Sequence, residues 1–306
     1  MLLTVTLTSP ISLQKINSEV SEYMKIWPRV LSIACALLLS AVPVARAAEL
    51  ELFGKLALSG GAEKEQGGTG GPRGTIEALG VVPLWGNLGI QGVAHYVGGA
   101  GSRYGVSAGP VYAWGGGKAG IFVNYQHRTF LSNNFVHVIP ALALYFNQMN
   151  LNLWYAQPVS SPQRDGNGRV EYGQNKLQAT VSYFAGSDWA SFLKKDNVEV
   201  VFGMQANTFA GAGRAQLKSA GVGPVLGLAF MPVKDVAVNV FHVTFDNRSA
   251  YRVTSGLEFF FSGNNATLKQ TRRKYLEPNV WVPPAAGRVG PSPSNSTCQR
   301  NCTFVE

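Results

Sequence analysis

Lys176-Leu177-Gln178-Ala179-Thr180-Val181-Ser182-Tyr183-Phe184 alternates polar and apolar side chains residue by residue. A strand turns successive side chains to opposite faces, so Leu177, Ala179, Val181 and Tyr183 share one face while Lys176, Gln178, Thr180 and Ser182 share the other. The same split separates Val198, Val200, Phe202 and Met204 from Glu199, Gly203, Gln205 and Asn207. It also separates Leu50, Leu52, Leu56 and Leu58 from Glu51, Lys55 and Ser59. No 3.6-residue period is sustained between Leu50 and Phe261, so the repeating unit is a strand.

Working outward, about twelve such segments follow one another, near 50–59, 74–84, 88–97, 104–114, 119–130, 135–146, 150–158, 173–185, 197–209, 217–231, 236–247 and 250–261. Their connections alternate in character. Trp85-Gly86-Asn87, Gly115 to Lys118, Asn147-Gln148-Met149 and Pro232 to Asp235 are tight, whereas Gly60 to Arg73 and Ser160 to Arg169 are long, polar and glycine-bearing. Short turns on one side and longer loops on the other suit a transmembrane antiparallel up-and-down β-barrel, an all-β fold. The Gly186 to Asp196 connection departs from the pattern, being long for the short-turn side.

Composition separates this barrel from a soluble β-sandwich. Only 14% of the 306 residues are charged while 46% are hydrophobic, against roughly 25% charged in ordinary soluble domains. A strand face that meets lipid expels charge. Aromatic residues gather near the strand ends, with Trp85, Trp114 and Phe146 at the short-turn side and Tyr96, Tyr104 and Tyr125 toward the other, as interfacial girdles require. The 35 glycines follow no three-residue period, which excludes collagen. The formal net charge of +9 is densest after Phe261, outside the barrel, and gives no evidence of nucleic-acid binding.

Met24-Lys25-Ile26-Trp27-Pro28-Arg29 leads into the apolar run Val30 to Val44 and then Ala45-Arg46-Ala47, the pattern of a secretory signal peptide over 24–47 with cleavage after Ala47. Residues 1–23 read as an extension upstream of the true start, and Cys35 leaves with the signal. The barrel then occupies 48–261, and 262–306 form a basic, proline-rich tail. That tail is expected to be extended and solvated on the periplasmic side, in contact with peptidoglycan or a periplasmic partner. Cys298 and Cys302 close a small disulfide loop in this reading.

Thr254-Ser255-Gly256-Leu257-Glu258-Phe259-Phe260-Phe261 resembles the assembly signal of bacterial outer-membrane proteins. The resemblance implies Leu257, Phe259 and Phe261 on the lipid face, Thr254, Gly256 and Glu258 inward, recognition by the barrel-assembly machinery, and residence in the Gram-negative outer membrane among its lipids. A second stretch is similar to hairpins of the intimin and invasin family's translocator barrel. It runs from Arg128-Thr129 through Asn133-Asn134-Phe135, then Asn150 to Tyr155 and Pro158-Val159. That similarity implies twelve strands and a passenger threaded through the lumen.

The inward face is expected to carry Lys55, Glu77, Gln91, His95, Asn124, Gln126, Arg128, His137, Asn152, Lys176, Gln178, Glu199, Gln205, Asn207, Arg252 and Glu258. Gly105, Ser107, Gly109, Gly221, Gly223 and Gly227 leave room beside them. The leading functional expectation is a passive pore for small solutes or ions. A translocator or structural surface barrel is the alternative, and a lipid hydrolase a minor one. Outer-membrane lipid hydrolases share a His-x-Ser pair, which His127-Arg128-Thr129 and His242-Val243-Thr244 resemble with threonine in place of serine. Both pairs are expected on the lipid face near the outer rim. No catalytic, cofactor or metal site is assigned, and the chain is read as a non-enzyme. Pro110, Pro140 and Pro224 lie mid-strand, where a missing donor predicts a bulge or break.

Overall fold

The structure, a computed structural model, describes residues 50, 52–64, 70–99, 102–129, 133–161, 163–164, 170–171, 173–186, 195–209, 221–247, 250–261 and 267–277. The signal-peptide reading and the Cys298–Cys302 pair lie outside these residues. In chain order the strands are β1 Phe53–Lys64, β2 Gly71–Trp85, β3 Leu88–Gly98, β4 Arg103–Trp114, β5 Gly117–Arg128, β6 Asn133–Tyr145 and β7 Met149–Pro158. They continue with β8 Gln163–Arg164, β9 Val170–Glu171, β10 Gln174–Ala185, β11 Val198–Phe209, β12 Gly221–Val233, β13 Val236–Asn247 and β14 Ala250–Phe261. All but β8 and β9 form one closed barrel in which chain neighbours pair antiparallel, β7 pairs with β10, and β14 closes onto β1. The two-residue strands β8 and β9 pair only with each other, within the loop between β7 and β10.

The burial pattern is inverted relative to a soluble protein. Gln91, Asn124 and His137 are fully enclosed, while Val106, Ile121, Val123, Met204 and Leu226 stand outward and exposed. Closure leaves no open strand edge, as a lipid environment demands. At one rim the turns are tight. Trp85 pairs with Leu88 across Gly86-Asn87, where Gly86 takes φ +53°, and Val233 pairs with Val236 across Lys234-Asp235. Trp85, Phe146 and Phe261 project outward at this rim, and Tyr96 and Tyr104 project outward toward the opposite, long-loop rim.

The prolines produce the second of the two expected outcomes, a local break and not a bulge. On one side of each proline the ladder is unbroken, Ile90 facing Pro110, Ile121 facing Pro140 and Met204 facing Pro224. On the other side pairing skips from Ala108 to Val111 and from Val138 to Ala141 without a change of register, and begins only at Val225 beyond Pro224. The missing donor therefore costs a gap rather than a bulge. At Gly109 a Cβ would fall 1.9 Å from the Ile121 carbonyl oxygen, so only glycine admits the neighbouring strand there. The register shifts lie elsewhere, between Pro83 and Trp85, between Leu228 and Ala229, between Phe230 and Val233, between Asn239 and His242 and between Phe245 and Asn247.

The shift at Asn239 to His242 corrects one sequence expectation. Three steps along β13 match two along β14, from Gly256 to Thr254. The extra residue reverses the parity of the strand, so His242 enters the interior beside Gly227 instead of facing lipid.

The region after the barrel also departs from an extended, solvated tail. Leu268–Arg272 is a short helix, α1, capped by a reciprocal box in which the Thr267 hydroxyl accepts from Gln270 N–H and the Gln270 side chain accepts from Thr267 N–H. Residues 267–277 fold back into the tight-turn mouth, with Leu268, Tyr275 and Leu276 buried.

Candidate functional site: a plugged turn-end mouth and a charged lumen

The interior is built by period-two alternation. Lys55 on β1, Glu77 on β2, Gln91 and His95 on β3, Asn124, Gln126 and Arg128 on β5 and His137 on β6 all stand on the inner face. So do Asn152 on β7, Lys176 and Gln178 on β10, Glu199, Gln205 and Asn207 on β11, and Arg252 and Glu258 on β14. Leu257 and Phe261 point outward while Glu258 is buried and the Thr254 hydroxyl reaches toward the His242 carbonyl. Gly256 lies inward, where a Cβ would fall 2.1 Å from the Leu58 carbonyl oxygen.

At the tight-turn mouth these residues meet the C-terminal segment. Arg272 is the centre. Its Nε reaches Glu199 Oε2 at 2.7 Å, and its Nη1 reaches Glu258 Oε2 at 2.7 Å, Glu277 Oε1 at 3.0 Å and the Tyr275 hydroxyl at 2.7 Å. Lys55 Nζ stands 2.8 Å from Glu77, 3.7 Å from Glu258 and 3.8 Å from Glu277, and lies 5.0 Å from the centre of the Tyr275 ring. Burial opposes a charge on Arg272, but Glu199 and Glu258 outweigh it and keep the guanidinium protonated. Burial likewise opposes ionisation of Glu277; Arg272 and Lys55 nonetheless hold its carboxyl down to about 2. Tyr275, pushed well up by burial, keeps its proton and donates it to Glu277 Oε1 at 2.9 Å.

Backbone and apolar contacts complete the seal. Gln91 donates to the Leu276 carbonyl at 2.8 Å and accepts from Leu276 N–H at 2.9 Å, and Lys118 donates to the Lys274 carbonyl at 2.5 Å. Leu276 enters a cluster with Val111, Phe122, Ile139 and Trp154, while Tyr275 stacks on Phe53 at 5.1 Å. The long Gly186 to Asp196 connection, anomalous on the turn side, ends in the anchor of α1. Asn197 Oδ1 accepts from Leu268 N–H at 3.0 Å, and Asp196 pairs with Lys269 at 2.6 Å. The Arg273 guanidinium lies over the Tyr145 ring and donates to the Asn150 side chain and the Phe146 carbonyl.

Above the plug a cavity of about 220 Å³ remains, lined by Lys55, Glu77, Gln178, His242, Arg252 and Glu277 among others. Glu199 and Glu258 stand toward the turn end with Lys55 and Lys118, Glu77 stands near the middle of β2, and Arg73, Arg103, Arg128, Lys176 and Arg252 stand at the loop ends of their strands with Glu63. α1 adds Arg272 to the acidic groups of the mouth.

No family profile matches the chain and no curated protein matches it. Among solved structures, a chain from a study of in-meso crystallisation of membrane proteins aligns with a TM-score of 0.54 at 9% identity, over 75% of this chain and 98% of that one. The fold they share is a closed antiparallel up-and-down β-barrel. The NanC porin aligns at a TM-score of 0.49 and 10% identity, covering 67% of this chain and 98% of its own, and the KdgM porin with oligogalacturonate at 0.46 and 11%, covering 68% and 99%.

Several contributors to the barrel's interior lie outside the residues expected from the sequence. Arg103 shares the parity of Gly105 and Ser107, and Arg73 that of Glu77, so both were accessible to the same alternation that placed their neighbours. Lys118 falls in the tight turn expected over Gly115 to Lys118, whereas it lies on β5 and is buried. The capping box at Thr267 to Gln270 signalled α1, but nothing local signalled where the helix docks. Of the two hydrolase-like pairs, His127 and Thr129 are held by other partners. His127 Nδ1 lies 2.7 Å from Asn134 Oδ1 with its ring on Tyr104 at 4.9 Å, and the Thr129 hydroxyl donates to the Ser102 carbonyl at 2.6 Å. His242 lies within the lumen, on the face that carries Thr244.

Proposed function

We propose that the protein is a channel-type outer-membrane barrel for small polar solutes, closed at its periplasmic mouth by its own C-terminal segment. The tight turns would face the periplasm and the long loops the exterior, the usual orientation of such barrels. The observation that carries the reading is how the plug is held. Residues 267–277 join no barrel strand, and are fixed by side-chain hydrogen bonds, ion pairs and three buried apolar side chains at the mouth. A segment attached in this way can leave without opening the β-ladder.

The test is conductance of the full chain in planar lipid bilayers. Rare discrete openings are expected from the unmodified protein, and frequent ones when plug contacts are weakened. Silence in both would overturn the channel reading. A constant large conductance from the unmodified protein would overturn the plug.

A further inference from the structure

One side chain of the plug occupies the barrel's mouth in the manner of a ligand. The Arg272 guanidinium is held by two carboxylates from different strands, Glu199 on β11 through Nε and Glu258 on β14 through Nη1, each at 2.7 Å. A single planar cation thus spans two strands with separate nitrogens, a fit that uses the fixed guanidinium fork and that a point-like ammonium does not reproduce. Both carboxylates are buried and belong to barrel strands, so they stay in place when residues 267–277 leave. Without Arg272, Glu258 keeps Lys55 at 3.7 Å, a cation held more closely by Glu77 at 2.8 Å. Buried carboxylates that lose one cation favour another of the same shape.

The contact also forms part of the cavity wall. Glu199, Glu258 and Arg272 line the cavity of about 220 Å³ together with Ser182, Thr180 and Gln178, which follow one another along the inner face of β10 away from the mouth. From Ser182 to Gln178 this column spans about 13 Å, four strand steps. Gln178 is buried, and its Oε1 accepts no hydrogen bond among the described residues. Hydroxyl and amide groups ending in an unused acceptor suit a solute that carries further donors behind a cationic head.

We infer that Arg272 stands in for a small guanidinium-bearing solute, which binds between Glu199 and Glu258 and opens the mouth by displacing it. The inference rests on the proposed function, in which residues 267–277 can leave, and it names the class of solute that makes them leave. Solute and Arg272 compete for the same atoms, Glu199 Oε2 and Glu258 Oε2. Arg272 is tethered and competes at a high effective concentration, so the free solute acts at millimolar levels.

Single-channel recording of the full chain in planar bilayers tests this, with ethylguanidinium chloride as the probe and ethylammonium chloride at the same ionic strength as the control. In the unmodified chain, ethylguanidinium should raise open probability several-fold and saturably, and ethylammonium should leave it nearly unchanged. In Arg272→Ala the two carboxylates lack their guanidinium, and ethylguanidinium should instead lower the current by binding there. Adding Glu199→Gln or Glu258→Gln to that variant should weaken the block by about tenfold. Equal responses to the two cations in the unmodified chain would overturn the inference, as would a block that survives both carboxylate changes. Recordings without either cation keep the proposed function separate. Failure of the plug appears there as equal open probability for Arg272→Ala and the unmodified chain, and that result removes the inference with it.

Discussion

Replacing Arg272 with alanine should release the plug. The side chain is 7% exposed and joins Glu199, Glu258 and Glu277 at 2.7, 2.7 and 3.0 Å. Removing one partner of such a buried pair costs about 3–5 kcal/mol, because the remaining carboxylates stay enclosed with little compensation. In the undocked state those carboxylates regain water, so the loss falls on the docked state. The docked-to-undocked ratio should drop by about 10²- to 10³-fold or more. Lys269→Ala is the graded comparison. Its ion pair to Asp196 is short at 2.6 Å but joins a single carboxylate, where Arg272 joins three, so its loss should cost less. Single-channel recording in planar bilayers reads both as open probability. The expected order is Arg272→Ala far above Lys269→Ala, and Lys269→Ala above the unmodified chain. Equal open probability for Arg272→Ala and the unmodified chain would refute the electrostatic account of the plug, as would the reverse order of the two variants.

Acid should open the same mouth. The Glu277 carboxyl sits near 2 when docked against an ordinary value of 4.5, so its contribution to docking is fully present above about pH 4.5 and fades as the pH falls toward 2. Its side chain is 44% exposed, and the effect should be partial. Open probability should rise over that window, and Glu277→Gln should reduce the rise, the remainder coming from Glu199, Glu258 and Asp196. Gly109→Ala should destabilise the barrel by about 1–3 kcal/mol through overpacking, since the new Cβ meets the Ile121 carbonyl. Loss of the heat-modifiable folded band on gels would report it, and an unchanged band would discount the close approach. Val123→Lys, on the exposed outer face of β5, should cost about 2–4 kcal/mol of folding stability in bilayers. Gln178→Lys at the cavity wall should cost clearly less, and urea titration in vesicles would compare the two.

Most of the fold was legible because a barrel strand records its two environments in alternate residues. Lys176 to Phe184 displays that code plainly, and β10 occupies Gln174–Ala185. The inward positions of Lys55, Gln91, Asn124 and Glu258 follow from the same parity. His242 shows where parity fails. One extra residue in β13 inverts everything beyond it, and a bulge depends on how the neighbouring strand seats, which no alternation records. The prolines illustrate the converse, a local signal whose expected break is confined to one side because the partner on the other side does not require their donor.

The amino-acid sequence by itself determined the inside-out barrel, since the choice of lipid or lumen for each side chain is made by local polarity in strict alternation. It did not disclose the helix after Thr267, where the proline-rich, basic composition pointed to an extended tail. Only the tertiary structure decided that this helix turns back into the mouth, that Arg272 lies among acidic groups from β11 and β14, and that Arg103 crosses the lumen to Glu63. Those contacts join residues far apart in the chain. They exist because barrel closure brings distant strands around one low-dielectric interior, where charges must find partners across the lumen rather than along the strand.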